Sequence, residues 1–187
     1  MAEASPQITM QHLPLASGDQ LPKLGLGLWK LGKDICADVV YNAIKNGYRL
    51  LDGACDYGNE VEVGLGIKRA LDEGVCTRAE LFVVSKLWNT FHRPEHVKAA
   101  CERTLSDLGL DYLDLYLIHF PIALEFVPFE TTYPPEWKCF DTSKNGNAAD
   151  GKMVLDTGVT YQQTWKAVEA LHGEGLVKNI GFCNIGT

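Results

Sequence analysis

The sequence has no closely spaced pair of cysteines. Its six, Cys36, Cys55, Cys76, Cys101, Cys139 and Cys183, lie at least 19 residues apart, which removes the CxxC spacing of zinc and dithiol sites and matches a reduced cytosol. No apolar run approaches the length of a membrane span, so no membrane partner is expected. The opening MAEASPQITMQ has neither the basic start nor the apolar core of a signal peptide. Positive charge is in deficit: 17 Lys and Arg against 24 Asp and Glu leave a net charge of -7. A phosphate backbone is repelled on average, so nucleic acid is not an expected partner. Low-complexity tracts are absent. The 187 residues, 46% apolar and 22% charged, have the profile of one globular domain with a cytoplasmic home.

Short strands and amphipathic helices alternate along the chain. The segment from His12 to Leu21 reads as a hairpin, two apolar stretches around a Gly18-Asp19 turn. The segment from Leu24 to Trp29 is apolar on both faces, as in a strand buried inside a parallel sheet. Asp34 opens a helix with Val39, Val40, Ala43 and Ile44 on one stripe and Gly47 as its C′ residue. A second strand runs from Arg49 to Asp52, and a second helix from Glu60 to Leu71, ending near Gly74. Leu81 to Lys86 is a third strand, rich in β-forming residues. Pro94 starts a third helix whose Val97, Ala100, Cys101, Leu105 and Leu108 recur at helical spacing before Gly109. Leu113 to His119 is a fourth strand. An irregular stretch over 121–158 carries Pro134-Pro135 and a turn-rich run at 143–147. Thr160 caps a fourth helix with Trp165, Val168, Ala170 and Leu171, and Val177 to Asn184 makes a fifth strand.

Strand–helix units repeating at about thirty residues imply parallel strands joined by right-handed crossovers. Either an open doubly wound sheet or a (β/α) barrel satisfies that pattern. The open sheet's G-x-G-x-x-G fingerprint is missing, because in Gly25-Leu26-Gly27-Leu28-Trp29-Lys30 a lysine occupies the third glycine's place. The strand ends favour the barrel. Trp29, Asp52, Lys86, His119 and Asn184 each close an apolar run, which is how a barrel's catalytic rim is built.

Asp52 and Tyr57 are separated by the tight Gly53-Ala54-Cys55-Asp56 turn, which can return the phenol to the rim, and Lys86 on the next strand can reach both. A phenol titrates near about pH 10 and is a poor acid until a nearby cation stabilises its phenolate. An ammonium held between a carboxylate and a phenol does this. His119, one strand further on, can donate a hydrogen bond to a substrate oxygen. Together these four make a proton-donating site that polarises a carbonyl without a metal and without a nucleophilic Ser or Cys. The plainer alternative is a buried structural ion pair for Asp52 and Lys86 and a satisfied core histidine for His119. Two other patterns carry less. His92-Arg93-Pro94-Glu95-His96 matches the H-x-x-E-H zinc-peptidase string, but Pro94 belongs at a helix start and leaves His92 off the helix face. The acidic pairs Glu60/Glu62 and Asp72/Glu73 read as solvated helix faces.

Four segments stand in an order and spacing that resemble the aldo-keto reductase superfamily over essentially the whole chain: LGLGLWK from Leu24, LDGACDYGNE from Leu51, VSKLW from Val84 and DLYLIHFP from Asp114. The HFPIA run from His119, FVPFE from Phe126 and Tyr133-Pro134-Pro135 are similar to the xylose (aldose) reductases of that family, with sugar-phosphate reductases as close relatives. The resemblance implies a (β/α)8 TIM-barrel fold and reduction of aldehydes or open-chain aldoses to alcohols with NADPH, NADH being the alternative cofactor. It implies Tyr57 as the general acid, Lys86 and Asp52 as the groups that tune it, and His119 as the group that orients the carbonyl. Trp29, Trp88 and Phe120 are implied to wall the substrate pocket with His119. Gly27, Leu28, Trp29, Asp52, Cys183 and Asn184 are implied to contact the cofactor. Cys183 departs from the family's serine, and a thiol is the weaker hydrogen-bond donor. No metal is implied.

Eight strand–helix units need about 200 to 250 residues. The expectation is therefore a single partial domain over 1–187: an amino-terminal hairpin, then about the first five strand–helix units, with Met1 as the true start and the shortfall at the carboxyl end. The family's nicotinamide-stacking residues and its basic loop for the adenosine 2′-phosphate fall in the missing part. Such a fragment has two unpaired parallel edges, so self-association and poor solubility as an isolated monomer are expected. The alternatives to an active reductase are a nucleotide-binding regulatory module on the same fold and an inactive fragment.

Overall fold

In the computed structural model, which describes residues 11–135, 137 and 153–186, apolar segments bounded by turn residues become strands and the periodic segments become helices. Strands β1 (His12–Pro14) and β2 (Gln20–Pro22) form an antiparallel hairpin with Leu13 opposite Leu21. Its turn is closed by Leu15 N–H donating to Asp19 O, with Gly18 in the left-handed region at φ 95°. The chain then alternates: β3 (Gly25–Gly27), α1 (Lys33–Lys45), β4 (Leu50–Asp52), α2 (Glu60–Asp72), β5 (Phe82–Leu87), α3 (Pro94–Leu108), β6 (Leu115–Ile118), α4 (Tyr161–Gly173) and β7 (Ile180–Phe182). The five later strands are parallel, in the sheet order β3-β4-β5-β6-β7, which is the sequential order of a barrel wall.

Register fixes what each face carries. Asp52 pairs with Val84, Lys86 with Leu117, and Leu117 with Gly181. Because side chains alternate with period two, Asp52, Lys86 and Leu117 share one face, and Leu51, Val83, Ser85, Tyr116 and Ile118 share the other. The second face is the one the helices cover: Leu51, Tyr116 and Ile118 are fully buried, together with Val40 and Ile44 of α1, Ile67 of α2, Cys101 of α3 and Val168 of α4. Helix α2 lies close against α3, since a Cβ on Gly64 would stand 2.5 Å from Leu108 O.

Several expectations change in detail. The Leu24 to Trp29 segment is not enclosed in the sheet. It supplies only the three-residue β3 at the sheet's outer edge, with one neighbouring strand among the described residues, and Leu24 and Trp29 are exposed. In α4 the inward stripe is Thr164, Val168 and Leu171, spaced i, i+4, i+7; Ala170, two residues from Val168, turns away to solvent. The capping box at Thr160 is present, its side chain accepting from Gln163 N. The fifth strand shortens to β7, because Asn184 takes φ 58° and ends the extended run. The two described ends of the irregular stretch meet: Leu124 bridges Leu155, and Arg93 grips Asp156 at 2.6 and 3.0 Å. The turn-rich run at 143–147 and Cys139 lie outside the described residues.

Candidate active site

The carboxyl ends of β4, β5 and β6 bring the chemistry together. Asp52 and Lys86 sit on the same face of adjacent strands, two register steps apart, and a lysine stem spans that gap. Lys86 Nζ donates to Asp52 Oδ1 at 2.7 Å, to Gly53 O at 2.8 Å and to Tyr57 Oη at 3.1 Å. An ammonium has three N–H donors, and here all three are used. Tyr57 reaches this point because the chain leaves β4 into a 3-10 turn over Cys55–Tyr57, closed by Tyr57 N–H to Ala54 O and ended by Gly58 at φ 70°. The phenol oxygen accepts from the ammonium, which leaves its own O–H to be donated elsewhere.

The two charged partners occupy different surroundings. Lys86 is nearly buried, whereas half of the Asp52 side chain meets solvent. Burial pushes the Lys86 pKa down, but the hydrogen bonds and charges of Asp52 and Tyr57 more than offset this and hold it above the ordinary lysine value. His119 continues the inward parity of Leu117 beyond the end of β6. Its imidazole is buried and stands beside the Lys86 ammonium, so its pKa falls to about 4, burial being the larger cause. The ring is therefore neutral at pH 7, offering one N–H and one lone pair.

Aromatic rings frame these groups. His119 meets Tyr57 edge-on at 5.9 Å between ring centres, meets Trp88 edge-on at 5.3 Å, and stacks on Phe120 at 4.7 Å. Trp88 is fully buried and backs the imidazole. Trp137 packs edge-on against both Trp88 and Phe120, at 4.8 and 5.0 Å. Sequence reading missed Trp137 because it lies in an aperiodic stretch that gives no face to assign. Trp29 is not brought into this cluster: at the end of the edge strand it is 65% exposed, and its ring meets the Lys30 ammonium at 4.4 Å. Leu28 is buried and its N–H donates to Asp52 O, while Gly27 faces open space. Cys183 Sγ and Asn184 Nδ2 both donate to His119 O, at 3.0 and 2.7 Å, so the end of β7 is tied to the histidine backbone.

Glu60 behaves unlike its sequence reading. Glu60 does not lie on a solvated helix face. It is 5% exposed, accepts from Ser85 Oγ at 2.7 Å and from Thr104 Oγ1 at 3.2 Å, and burial pushes its pKa up to about 7. As the first residue of α2 it points inward to the helix-covered face, whereas Glu62, two residues on, is half-buried. Asn59 before it is also buried, donating to Leu28 O at 3.0 Å and Leu31 O at 3.1 Å. Asp72 and Glu73 do sit at the surface, paired with Lys68 and Arg69. Among the described residues no group of three or more His, Cys, Asp and Glu is placed to hold a metal; His92 lies in the turn before α3, and His96 stacks on Phe126.

Comparison with known proteins agrees with the geometry. A model of the aldo/keto reductase family matches residues 23–187. The chain is 50% identical over 184 residues to a probable NAD(P)H-dependent D-xylose reductase of Arthroderma otae, covering 98% of this chain and 53% of that protein. It is 55% identical over 172 residues to an NADPH-dependent D-xylose reductase of Meyerozyma guilliermondii, covering 92% and 51%. The crystal structure of a Bombyx mori aldo-keto reductase in complex with NADP superposes with a TM-score of 0.76 at 34% identity, over 94% of this chain and 50% of that one. The chain spans about half the length of the curated relatives it matches.

Proposed function

Since the chain belongs to the aldo/keto reductase family, we propose that its rim reduces the carbonyl of an aldose or related aldehyde, with Tyr57 giving the proton. The single observation that carries this is the Lys86 ammonium, whose three donors go to Asp52, Gly53 and Tyr57 and leave the phenol O–H free. In this reading NADPH supplies the hydride when bound, a choice supported by similar D-xylose reductases named NADPH- or NAD(P)H-dependent.

The residues present fit the nicotinamide end of such a cofactor. Asn184 spends its amide N–H on His119 and keeps its amide oxygen unused, Asp52 keeps half of its surface in solvent, and Gly27 leaves room where a Cβ would stand. Gly27, Leu28, Trp29, Asp52, Cys183 and Asn184 are the residues we assign to hold that end. His119, neutral at working pH, donates its one N–H to the substrate carbonyl oxygen, beside the Tyr57 hydroxyl that protonates the same atom. As the oxygen gains charge, the Lys86 ammonium 3.1 Å from the phenol oxygen stabilises the phenolate left behind, and the half-exposed Asp52 keeps that ammonium in place. Phe120 and Trp88 wall the substrate side and keep water from the imidazole.

The test is cofactor oxidation by the purified chain with xylose and glyceraldehyde, run beside Tyr57→Phe. The expected result is turnover that falls by about 10² to 10⁴-fold in Tyr57→Phe, with cofactor binding unchanged in a fluorescence titration. Turnover undiminished by the substitution overturns the assignment. A second reading, a nucleotide-binding or inactive half-domain, is favoured by the match to only about half of each relative; cofactor binding without any turnover in the unaltered chain selects it.

We assign residues 1–187 to one partial domain, supported by the single parallel sheet, and a reduced cytosol as its location, supported by five unpaired cysteines among the described residues. No helix among those residues is long and apolar enough to cross a membrane. Among the described residues the outer strands β3 and β7 each present one unpaired edge, flanked by exposed Leu24 and Phe182, which supports self-association. Light scattering over a concentration series is expected to show mass rising with concentration; a monodisperse monomer that melts cooperatively overturns this.

A further inference from the structure

We propose that Asn59 and Glu60 are positioning residues for the proton donor: together they clamp the turn that carries Tyr57 to strand β3 on one side and to strand β5 on the other. The inference rests on the reductase reading for its purpose, but its geometry stands independently of turnover.

Tyr57, Gly58, Asn59 and Glu60 are consecutive, so what holds the last two constrains the backbone from which the phenol projects. Asn59 Nδ2 donates to Leu28 O and to Leu31 O, which pins the turn to the backbone just beyond β3. Glu60 Oε1 accepts the Ser85 hydroxyl at 2.7 Å, and Ser85 immediately precedes Lys86 on β5. Glu60 Oε2 takes the Thr104 hydroxyl of α3 at 3.2 Å. Alternation along β5 makes this work: Lys86 faces the rim while Ser85 faces the helices, so one strand presents the ammonium to Tyr57 on one face and an anchor to Glu60 on the other.

The distance to be held is the 3.1 Å contact between Lys86 Nζ and Tyr57 Oη. The 3-10 turn that carries the phenol is only three residues long, and its own backbone bonds are two local contacts, Tyr57 N–H to Ala54 O and Gly58 N–H to Cys55 O. Its amino-terminal end is tied to β5 by Gly53 N–H to Val84 O at 3.0 Å and Cys55 Sγ to Lys86 O at 3.6 Å, while the end that carries Tyr57 has no sheet contact through these bonds. Asn59 and Glu60 anchor its carboxyl-terminal end through buried side chains, where a hydrogen bond has no competing water. Neither touches the site where a substrate carbonyl would lie, and both act through Tyr57 and Lys86.

The experiment uses the full chain with tyrosine labelled at Cζ, the Tyr57 resonance being identified by its loss in Tyr57→Phe. Lys86→Met, which removes the ammonium from the phenol, sets the position of an uncoupled Tyr57. The expected result is that Asn59→Ala and Glu60→Ala move the Tyr57 resonance toward that position while cooperative unfolding persists. Glu60→Gln, which keeps an oxygen to accept from Ser85, is expected to stay at the unaltered position. A folded Glu60→Ala with an unmoved Tyr57 resonance overturns the proposal, and so does a Glu60→Gln that moves as far as Glu60→Ala. Should Glu60→Ala fail to fold, Ser85→Ala breaks the same bond from the β5 side, and an unmoved resonance there overturns it equally. Where turnover is measurable, Glu60→Ala is expected to lower kcat by up to about 10²-fold at nearly constant cofactor KM, and Glu60→Gln to restore it. Shifts as expected in a chain without turnover leave the clamp standing and count only against the reductase reading.

Discussion

Lys86 places its ammonium 2.7 Å from the Asp52 carboxylate, yet the two side chains differ in exposure, 7% for the lysine and 48% for the aspartate. Removing either partner therefore has unequal consequences. Asp52→Ala strands a buried ammonium without its counter-ion and is expected to destabilise by roughly 3 to 5 kcal/mol. Lys86→Met leaves a carboxylate that water can solvate and fills the space with an apolar stem, so about 1 kcal/mol or less is expected. Denaturant unfolding of both variants at pH 7 checks the asymmetry. Equal losses would show that the pair is solvated alike at both ends.

His119 gives the protein a pH response on the acid side. Its folded pKa of about 4 lies below the ordinary 6.5, so the native state binds fewer protons than the unfolded chain between those values. The stability this contributes is complete above about pH 6.5 and is lost as pH falls through about 4. Buried His92, also lowered to about 4 chiefly by burial, adds a slope of the same sign. His119→Gln is expected to remove part of the loss between pH 6.5 and 4, read from melting temperatures across that range. A slope unchanged by the substitution would place the titration elsewhere.

Glu60 works in the opposite sense. Its folded pKa of about 7 lies above the ordinary 4.5, so its contribution is complete below about pH 4.5 and is lost as pH rises through about 7. Burial is the main cause, and Asp107 of α3 adds to it, while Cys55, Cys101, Tyr116 and Tyr133 pack around the same carboxyl without bringing a cation. Because the histidine and glutamate slopes overlap and oppose, the unaltered chain is expected to show a flattened profile between pH 4.5 and 6.5. Glu60→Gln removes the opposing slope, so stability is expected to rise more steeply with pH than in the unaltered chain and to exceed it at pH 8. A variant less stable than the unaltered chain at pH 8 would contradict a buried charge there.

Gly64 permits the close approach of α2 to α3. An alanine Cβ would stand 2.5 Å from Leu108 O and 2.7 Å from its carbonyl carbon, and that backbone cannot step aside as a side chain can. Gly64→Ala gains up to about 1 kcal/mol of helix propensity but forces the helices apart, for an expected net loss of about 1 to 2 kcal/mol. Gly173→Ala, also in a helix but with nothing within 4 Å, is the control and is expected to hold or gain stability. Thermal melts of the two variants separate packing from propensity.

Element order, the parallel sheet and the identity of four rim groups are legible in the sequence alone. Each was encoded locally: apolar runs that end at Asp52, Lys86 and His119, a tight turn that returns Tyr57, and glycines or capping residues at helix ends. The remaining features come from packing between distant segments, which local patterns do not carry. Whether a charge is wet or dry depends on the partner layer, so Glu60, one of two alternating acidic residues, turned inward to Ser85 and Thr104 from segments 25 and 44 residues away. Trp29 and Trp88 look alike as aromatics at strand ends, yet one ends an edge strand and stands in solvent while the other ends β5, with neighbours on both sides, and is fully buried. Trp137 joined the rim from a stretch with no periodicity at all. Burial is set by the number of neighbouring strands and helices, and that number is a property of the assembled sheet rather than of any window of sequence.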